Sequence, residues 1–294
     1  MNFNFIETQQ NEIIEKFGNE KFSDLLDRID SYSQKWGLFD FEYATTSTYN
    51  VLLFCTSKQY GDCVLKLYGE MFEYNAYSEY SNSERFCKLY EFDIETRVML
   101  IERIIPGSML KEEPSLEKRL SVFSELLNGL HISPNNPDKT ITYLKLFCDV
   151  TEAMKTHENG NRLYAYALKA KDILLEIVSI YDKELLLHWD LKNDNILLDK
   201  TGAYKLIDPF GFIGDPVLEV GRFISQEYWD ADSESRMDTI EKIASYFEAN
   251  EEIPKHISKK CFFIDIILLN CLWVERGRSA CMDDVSFAET VLNI

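Results

Sequence analysis

The chain has 294 residues, with 31 Lys+Arg against 50 Asp+Glu, for a formal net charge of −19. So large an acid excess repels phosphate backbones and anionic lipid, which excludes a nucleic-acid or membrane partner held by a basic face. Disorder is excluded too, because 46% of residues are hydrophobic and 13% aromatic, while Gly and Pro number only 12 and 7.

Residues 1–34 read as an N-terminal helical segment. Ile13, Ile14, Phe17, Phe22, Leu25, Leu26 and Ile29 recur at helical spacing among charges. The period then changes over residues 35–105. FDFEYATT, NVLLFCTS, DCVLKLYG and RVMLIERI are short segments rich in β-branched and aromatic residues, and KQYGD between the second and third reads as a hairpin turn. EMFEYNAYSEYSNSERF, between the third and fourth, predicts a helix. Ile105-Pro106-Gly107-Ser108 punctuates the chain and is the candidate hinge.

Residues 106–294 read as a larger helical lobe. Helical periodicity covers 115–130, 140–157, 160–181, 217–230, 236–249, 260–275 and 284–292. Short strand-like segments at Leu185–Leu187, Ile196–Leu198 and Tyr204–Ile207 surround a polar loop, so a hairpin is expected within this lobe. The fold class is therefore α+β and bilobal, with a small β-rich lobe and a larger helical one.

Seven cysteines, an odd number without any CxxC pair, lie largely in apolar runs such as FFIDIILLNCLW. They read as reduced, buried thiols rather than disulfides or a zinc site. The N-terminus lacks a basic stretch leading into an apolar one, and the longest apolar run, 261–274, is broken by Asp265 and Asn270. A cytosolic location is expected.

The chemistry concentrates in LLLHWDLKNDNILLDKTGAYKLIDPFGFIGDP. There His188-x-Asp190-x-x-x-x-Asn195 is followed, thirteen residues on, by Asp208 at the end of a strand. That pattern suits phosphoryl transfer. One carboxylate lies near an acceptor hydroxyl, while a second carboxylate and an amide oxygen hold Mg²⁺ against nucleotide phosphates.

The motif resembles the catalytic loop of the kinase-like fold. HWDLKNDNIL and LIDPFGFIGDPVLEVGRF resemble more closely the aminoglycoside phosphotransferase branch, whose loop usually reads HGDLHxxNIL. Within it, the I-D-P-x-G-x-x-G-[DE]-P run and ILLNCLWVERG are similar to the streptomycin 6-phosphotransferase and hydroxyurea phosphotransferase group. The resemblance runs from about residue 35 to the end. It implies a bilobal protein-kinase-like fold. It implies Asp190 as the catalytic base or hydroxyl-orienting group, Asn195 and Asp208 as metal ligands, and His188 as a brace of the loop. Trp189 stands where the family usually has Gly.

The resemblance also implies a strand lysine for the α/β-phosphates. Lys66 fits, as a charged side chain alternating inside an apolar strand. Its expected partner is Glu73, with Glu70 and Glu79 as rivals. No GxGxxG covers the phosphates. The turn Ala44–Asn50 offers hydroxyls and backbone N–H groups instead, with Ser47 as the candidate. Glu102 and Ile104 fall where backbone groups would meet the adenine edge.

From Glu227 to Glu252 nine acidic residues face two basic ones, a net −7. Such a segment is either a solvated helix face or a site for a cationic acceptor. Glu227, Asp230 and Asp232 beside Tyr228 and Trp229 are the candidate acceptor residues, and Trp273 with Glu275 is a second pair.

The expected activity is transfer of the γ-phosphate of ATP, with Mg²⁺, to a hydroxyl of a small cationic molecule, an aminoglycoside of streptomycin type. GTP is an alternative donor. Two alternatives stay open: a metabolite kinase of the same fold (fructosamine, choline, thio-sugar, homoserine or hydroxyurea) and a non-catalytic nucleotide-binding pseudokinase.

Overall fold

The computed structural model describes residues 3–46, 50–157 and 161–293. Its elements, in chain order, begin with helix α1 (Glu7–Trp36) and strands β1 (Leu38–Thr46), β2 (Val51–Ser57) and β3 (Gly61–Leu67). Helix α2 (Met71–Glu79), β4 (Leu89–Asp93), β5 (Val98–Glu102) and β6 (Pro106–Met109) follow. Then come α3 (Leu116–Leu127), α4 (Tyr143–Thr156), α5 (Asn161–Ile180), β7 (Leu185–Leu187), β8 (Ile196–Asp199) and β9 (Tyr204–Leu206). The chain closes with β10 (Phe212–Gly214), α6 (Glu219–Asp230), α7 (Arg236–Asn250), α8 (Lys255–Glu275) and α9 (Met282–Leu292). These elements form two compact units, Met1–Ser108 with Leu198–Ile207, and Met109–Leu197 with Asp208–Ile294.

The first unit is built on an antiparallel sheet of order β1-β2-β3-β5-β4. Strand alternation sends Val51, Leu53 and Cys55 of β2, Cys63, Leu65 and Leu67 of β3, and Val98 and Leu100 of β5 to one face. There they meet Ile13, Leu25, Ile29 and Tyr32 of α1, all buried. Each large aliphatic side chain in this layer contributes about 1.5–3 kcal/mol by leaving water. Helix α1 bends at Gly18 (φ 85°, ψ 163°). Lys66 occupies the alternate register of β3, opposite Leu52 and Met99 and outside this apolar layer.

Two features of this unit differ from the sequence reading. Strand β4 was not expected; it is a five-residue strand at the sheet's edge whose residues are all half-buried, so it carries no apolar alternation. The hairpin at 198–207, read as part of the helical lobe, belongs here instead. Cys87 N–H donates to Leu206 O (3.0 Å), Leu206 N–H donates to Arg85 O (2.7 Å), and Lys205 Nζ lies 2.8 Å from Glu102 Oε1. These bonds join residues far apart in the chain, which periodicity does not register.

The second unit is organised around α8. Every residue of α8 from Cys261 to Leu272 is buried, as expected for a helix apolar on nearly all sides. Helices α4, α5, α6, α7 and α9 pack on it. Against α6 the approach is close, since a Cβ on Gly221 would lie 2.4 Å from Cys261 O. Only glycine fits there. Ser115 and Thr142 cap α3 and α4 by accepting from Lys118 N–H and Lys145 N–H. Strand β7 pairs antiparallel with β10, Leu187 opposite Phe212. No helix among the described residues is long and apolar enough to cross a membrane.

Candidate active site

In the second unit, β7 delivers the chain to His188, Trp189 and Asp190, and a short 3₁₀ turn, Asn193–Asn195, leads on. Trp189 has φ +68° and Asp208 φ +57°, both in the left-handed region. A side chain at such a position costs about 1–2 kcal/mol, which is a physical reason for glycine at this place in the loop. In this chain the strained backbone is held from α6. The buried carboxylate of Glu219 accepts Trp189 N–H (3.2 and 3.1 Å) and His188 N–H (2.5 Å), and His131 Nε2 lies 3.4 Å from it. The Trp189 ring packs against Phe210 and Phe212, with centroids at 4.8 and 5.2 Å, and Phe210 N–H donates to His188 O (2.9 Å).

The Asp190 carboxylate has three partners. Oδ1 accepts from Arg222 Nε (2.8 Å), and Oδ2 accepts from Asn195 Nδ2 (2.9 Å) and lies 3.0 Å from Lys192 Nζ. Asn195 Nδ2 also donates to Asp190 O (2.8 Å), closing the loop on itself. Burial alone would raise the Asp190 carboxyl, but the charges of Arg222 and Lys192 outweigh it and hold it down at about 2. This group is a carboxylate at neutral pH and a weak base. It suits accepting a hydrogen bond from a hydroxyl more than removing its proton early.

Helix α6 holds the loop at a third point. Glu227, 2% exposed, takes a bidentate pair from Arg119 (Nε 2.7 Å, Nη2 2.6 Å) and accepts from Asn193 Nδ2 (2.6 Å). Its carboxylate is engaged with the loop and α3, so the acceptor role read from the sequence does not fit its surroundings. Asp230 accepts from Gln226 Nε2 (2.8 Å), and Asp232 is exposed. Trp273 packs on Trp229 with centroids 5.9 Å apart, and the Arg222 guanidinium lies 5.7 Å from the Trp229 ring. Glu275 is exposed at the end of α8, and partial burial of its carboxyl raises its pKa.

In the first unit, Lys66 Nζ donates to Glu73 Oε1, with side chains only 2% and 6% exposed. Glu73 stands in the first turn of α2. Of its two rivals, Glu70 lies 3.5 Å from Arg97 at the surface, and Glu79 is half-buried at the far end of α2. Glu102 and Ile104 line a cavity of about 480 Å³ together with Tyr60, Tyr90, Arg103 and Lys200. The Glu102 carboxylate accepts from Lys205 and from Lys88 N–H (3.1 Å). Ser47 lies outside the described residues.

The sequence reading missed Glu219 and Arg222, although both stand in the LEVGRF run that follows the IDP motif. Glu227 had a readable signal. Val220, Phe223, Ile224, Glu227 and Tyr228 recur at i, i+3, i+4, i+7 and i+8, which puts the carboxylate in the apolar phase of α6.

Solved structures share this architecture. The chain aligns with the choline kinase LicA from Streptococcus pneumoniae at TM-score 0.63 and 15% identity, over 91% of this chain and 99% of that one. It aligns with the aminoglycoside phosphotransferase APH(4)-Ia at TM-score 0.66 and 15% identity, over 92% and 97%. The ethanolamine kinase of Plasmodium vivax gives TM-score 0.65 at 15% identity, over 100% of this chain and 94% of that one. These likenesses define a kinase-like α+β fold. Residues 69–264 match the family described as aminoglycoside/hydroxyurea antibiotic resistance kinase, and the chain belongs to that family. It is also 25% identical over 139 residues to streptomycin 6-kinase of Streptomyces griseus, a stretch of 45% of this chain and 44% of that protein's length.

Proposed function

We propose that this chain is an ATP-dependent phosphotransferase that moves the γ-phosphate to a hydroxyl of a small cationic molecule, an aminoglycoside of streptomycin type. The observation that carries this reading is the Asp190 carboxylate, kept ionised and tied to Arg222, Lys192 and Asn195. Membership of the resistance-kinase family and the streptomycin 6-kinase relative support the acceptor class.

In this reading Asp190 accepts the hydrogen of the acceptor hydroxyl and aims its oxygen at the γ-phosphorus. The oxygen–phosphorus bond forms as the bond to ADP breaks, and the hydroxyl proton passes late to the Asp190 carboxylate, which returns it to water. A weak base suffices, because a loose phosphoryl transition state asks for positioning more than for strong deprotonation. Lys66 holds phosphate oxygens and Glu73 orients its ammonium group.

The donor set suits Mg²⁺. Asn195 spends its Nδ2 on Asp190, which leaves its carbonyl oxygen as the coordinating atom, and Asp208 adds a hard carboxylate. Two protein ligands are normal for an ion that shares its shell with phosphates and water. When bound, the ion neutralises charge on the phosphates.

The test is ATP turnover against a panel of streptomycin, other aminoglycosides, hydroxyurea, choline and ethanolamine, with mass analysis of the product. Phosphorylated streptomycin is expected. Transfer to choline or ethanolamine alone would move the acceptor class, and nucleotide binding without transfer to any acceptor would contradict the reading.

A further inference from the structure

We infer that Arg222 is a positioning residue for this reaction: its guanidinium fixes the direction in which the Asp190 carboxylate points. The inference rests on the phosphotransferase reading above and adds a residue to it.

Lys192 and Asn195 also touch Asp190, but both belong to the same loop and move with it. Arg222 stands on α6, outside the loop. Its Nε bond of 2.8 Å to Oδ1 therefore ties the carboxylate to the helical core. The neighbouring residue Gly221 seats α6 against the backbone of α8. Glu219 and Glu227 of the same helix hold His188, Trp189 and Asn193. The loop backbone is thus fixed independently, and Arg222 is left to fix the side chain.

The energetics argue in the same direction. Arg222 is 8% exposed, its Nη1 has no hydrogen-bond partner, and Asp265 Oδ2 lies 3.8 Å from that atom. A buried guanidinium with one close carboxylate is a poor stabilising device, since similar apolar packing is often as stable. Orientation of the reacting group is a use that apolar packing does not replace. The planar guanidinium aims its Nε–H at Oδ1 in a fixed direction, which a lysine point charge does not.

The test compares wild type, Arg222→Met, Arg222→Lys and Asp190→Asn, with and without Arg222→Met. Misaiming a reacting group by an ångström costs about 100-fold, so Arg222→Met is expected to lower kcat about that much while the KM for ATP changes less than about twofold. Arg222→Lys is expected between Met and wild type. In the Asp190→Asn background, Arg222→Met is expected to change the residual rate less than about threefold, because the arginine acts through Asp190. Crystal structures of wild type and both Arg222 variants read the Asp190 rotamer directly and do not depend on turnover. Asp190 in its original rotamer in a folded Arg222 variant, or an unchanged kcat, overturns the inference. Should Arg222→Met not fold, Arg222→Lys carries the same readings. Wild type inactive on every acceptor would instead sink the phosphotransferase reading, while the rotamers still decide the role of Arg222.

Discussion

Two ionic groups, one in each unit, carry the proposed chemistry and differ in build: Lys66 and Glu73 are buried, while Asp190 and Lys192 are half-buried. In the first unit one lysine meets one carboxylate, Lys66 with Glu73, both almost fully buried. In the second, one carboxylate meets two cations and an amide, Asp190 with Arg222, Lys192 and Asn195. In the Lys66–Glu73 pair the acid serves to steady a cation. In the other group cations and an amide steady an acid, and their surplus of positive charge keeps it ionised. In the proposed reaction the two units then present different groups: an ammonium for phosphate in one, a hydrogen-bond acceptor for a hydroxyl in the other.

The largest expected effect comes from removing the presented acid. Asp190→Asn should lower kcat by about 10³-fold in a protein that still melts cooperatively, though at a lower temperature because Arg222 loses its close carboxylate, measured by turnover and a melting curve. A rate near that of wild type would end the distinction between the two groups. Next comes the supporting acid, Glu73, beside Lys66. Glu73→Gln should lower kcat/KM for ATP by about tenfold, and Lys66→Met by about 100-fold, in steady-state kinetics. Equal losses would mean that Glu73 does more than orient the lysine.

Glu227 sharpens the comparison further. Glu227→Gln should weaken the hold on Asn193 and Arg119, lowering kcat by roughly tenfold while the KM for a cationic acceptor stays within about twofold. A KM increase alone would return Glu227 to the acceptor site.

The smallest expected effect lies away from both groups. Asp93 accepts from Lys35 Nζ (2.6 Å), and hydrogen bonds from Lys35, then Tyr32, hold its carboxyl below the usual carboxylate range. A depressed folded pKa adds stability that is present above the ordinary carboxylate range and is lost as pH falls through the folded value. Asp93→Asn should therefore destabilise the fold by about 1 kcal/mol at neutral pH, with the gap closing in acid, in urea titrations at several pH values. The same loss at every pH would contradict this.

Much of this organisation was legible in the residues. The HxDxxxxN spacing and the later Ile-Asp point to the loop and to the roles proposed for it, and the alternation around Lys66 points to a buried strand lysine. The supports were less legible because they are long-range. Glu219 and Arg222 sit some thirty residues beyond the loop they hold. Trp189 departs from the motif at a positive φ that favours glycine, and what holds it there, the Glu219 carboxylate and the rings of Phe210 and Phe212, comes from later in the chain. The acidic run misled at Glu227, because net charge ignores helix phase, and phase puts that residue inside. The 198–207 hairpin was misassigned for a related reason: its bonds to 85–87 and Glu102 join distant parts of the chain.

The most direct test of the central claim is phosphorus NMR of the wild-type protein and Asp190→Asn, each with ATP, Mg²⁺ and streptomycin. The expected result is a phosphomonoester resonance on streptomycin that grows with wild type and is absent with Asp190→Asn on the same time scale. Equal growth with both proteins, or release of inorganic phosphate alone by wild type, would contradict the claim.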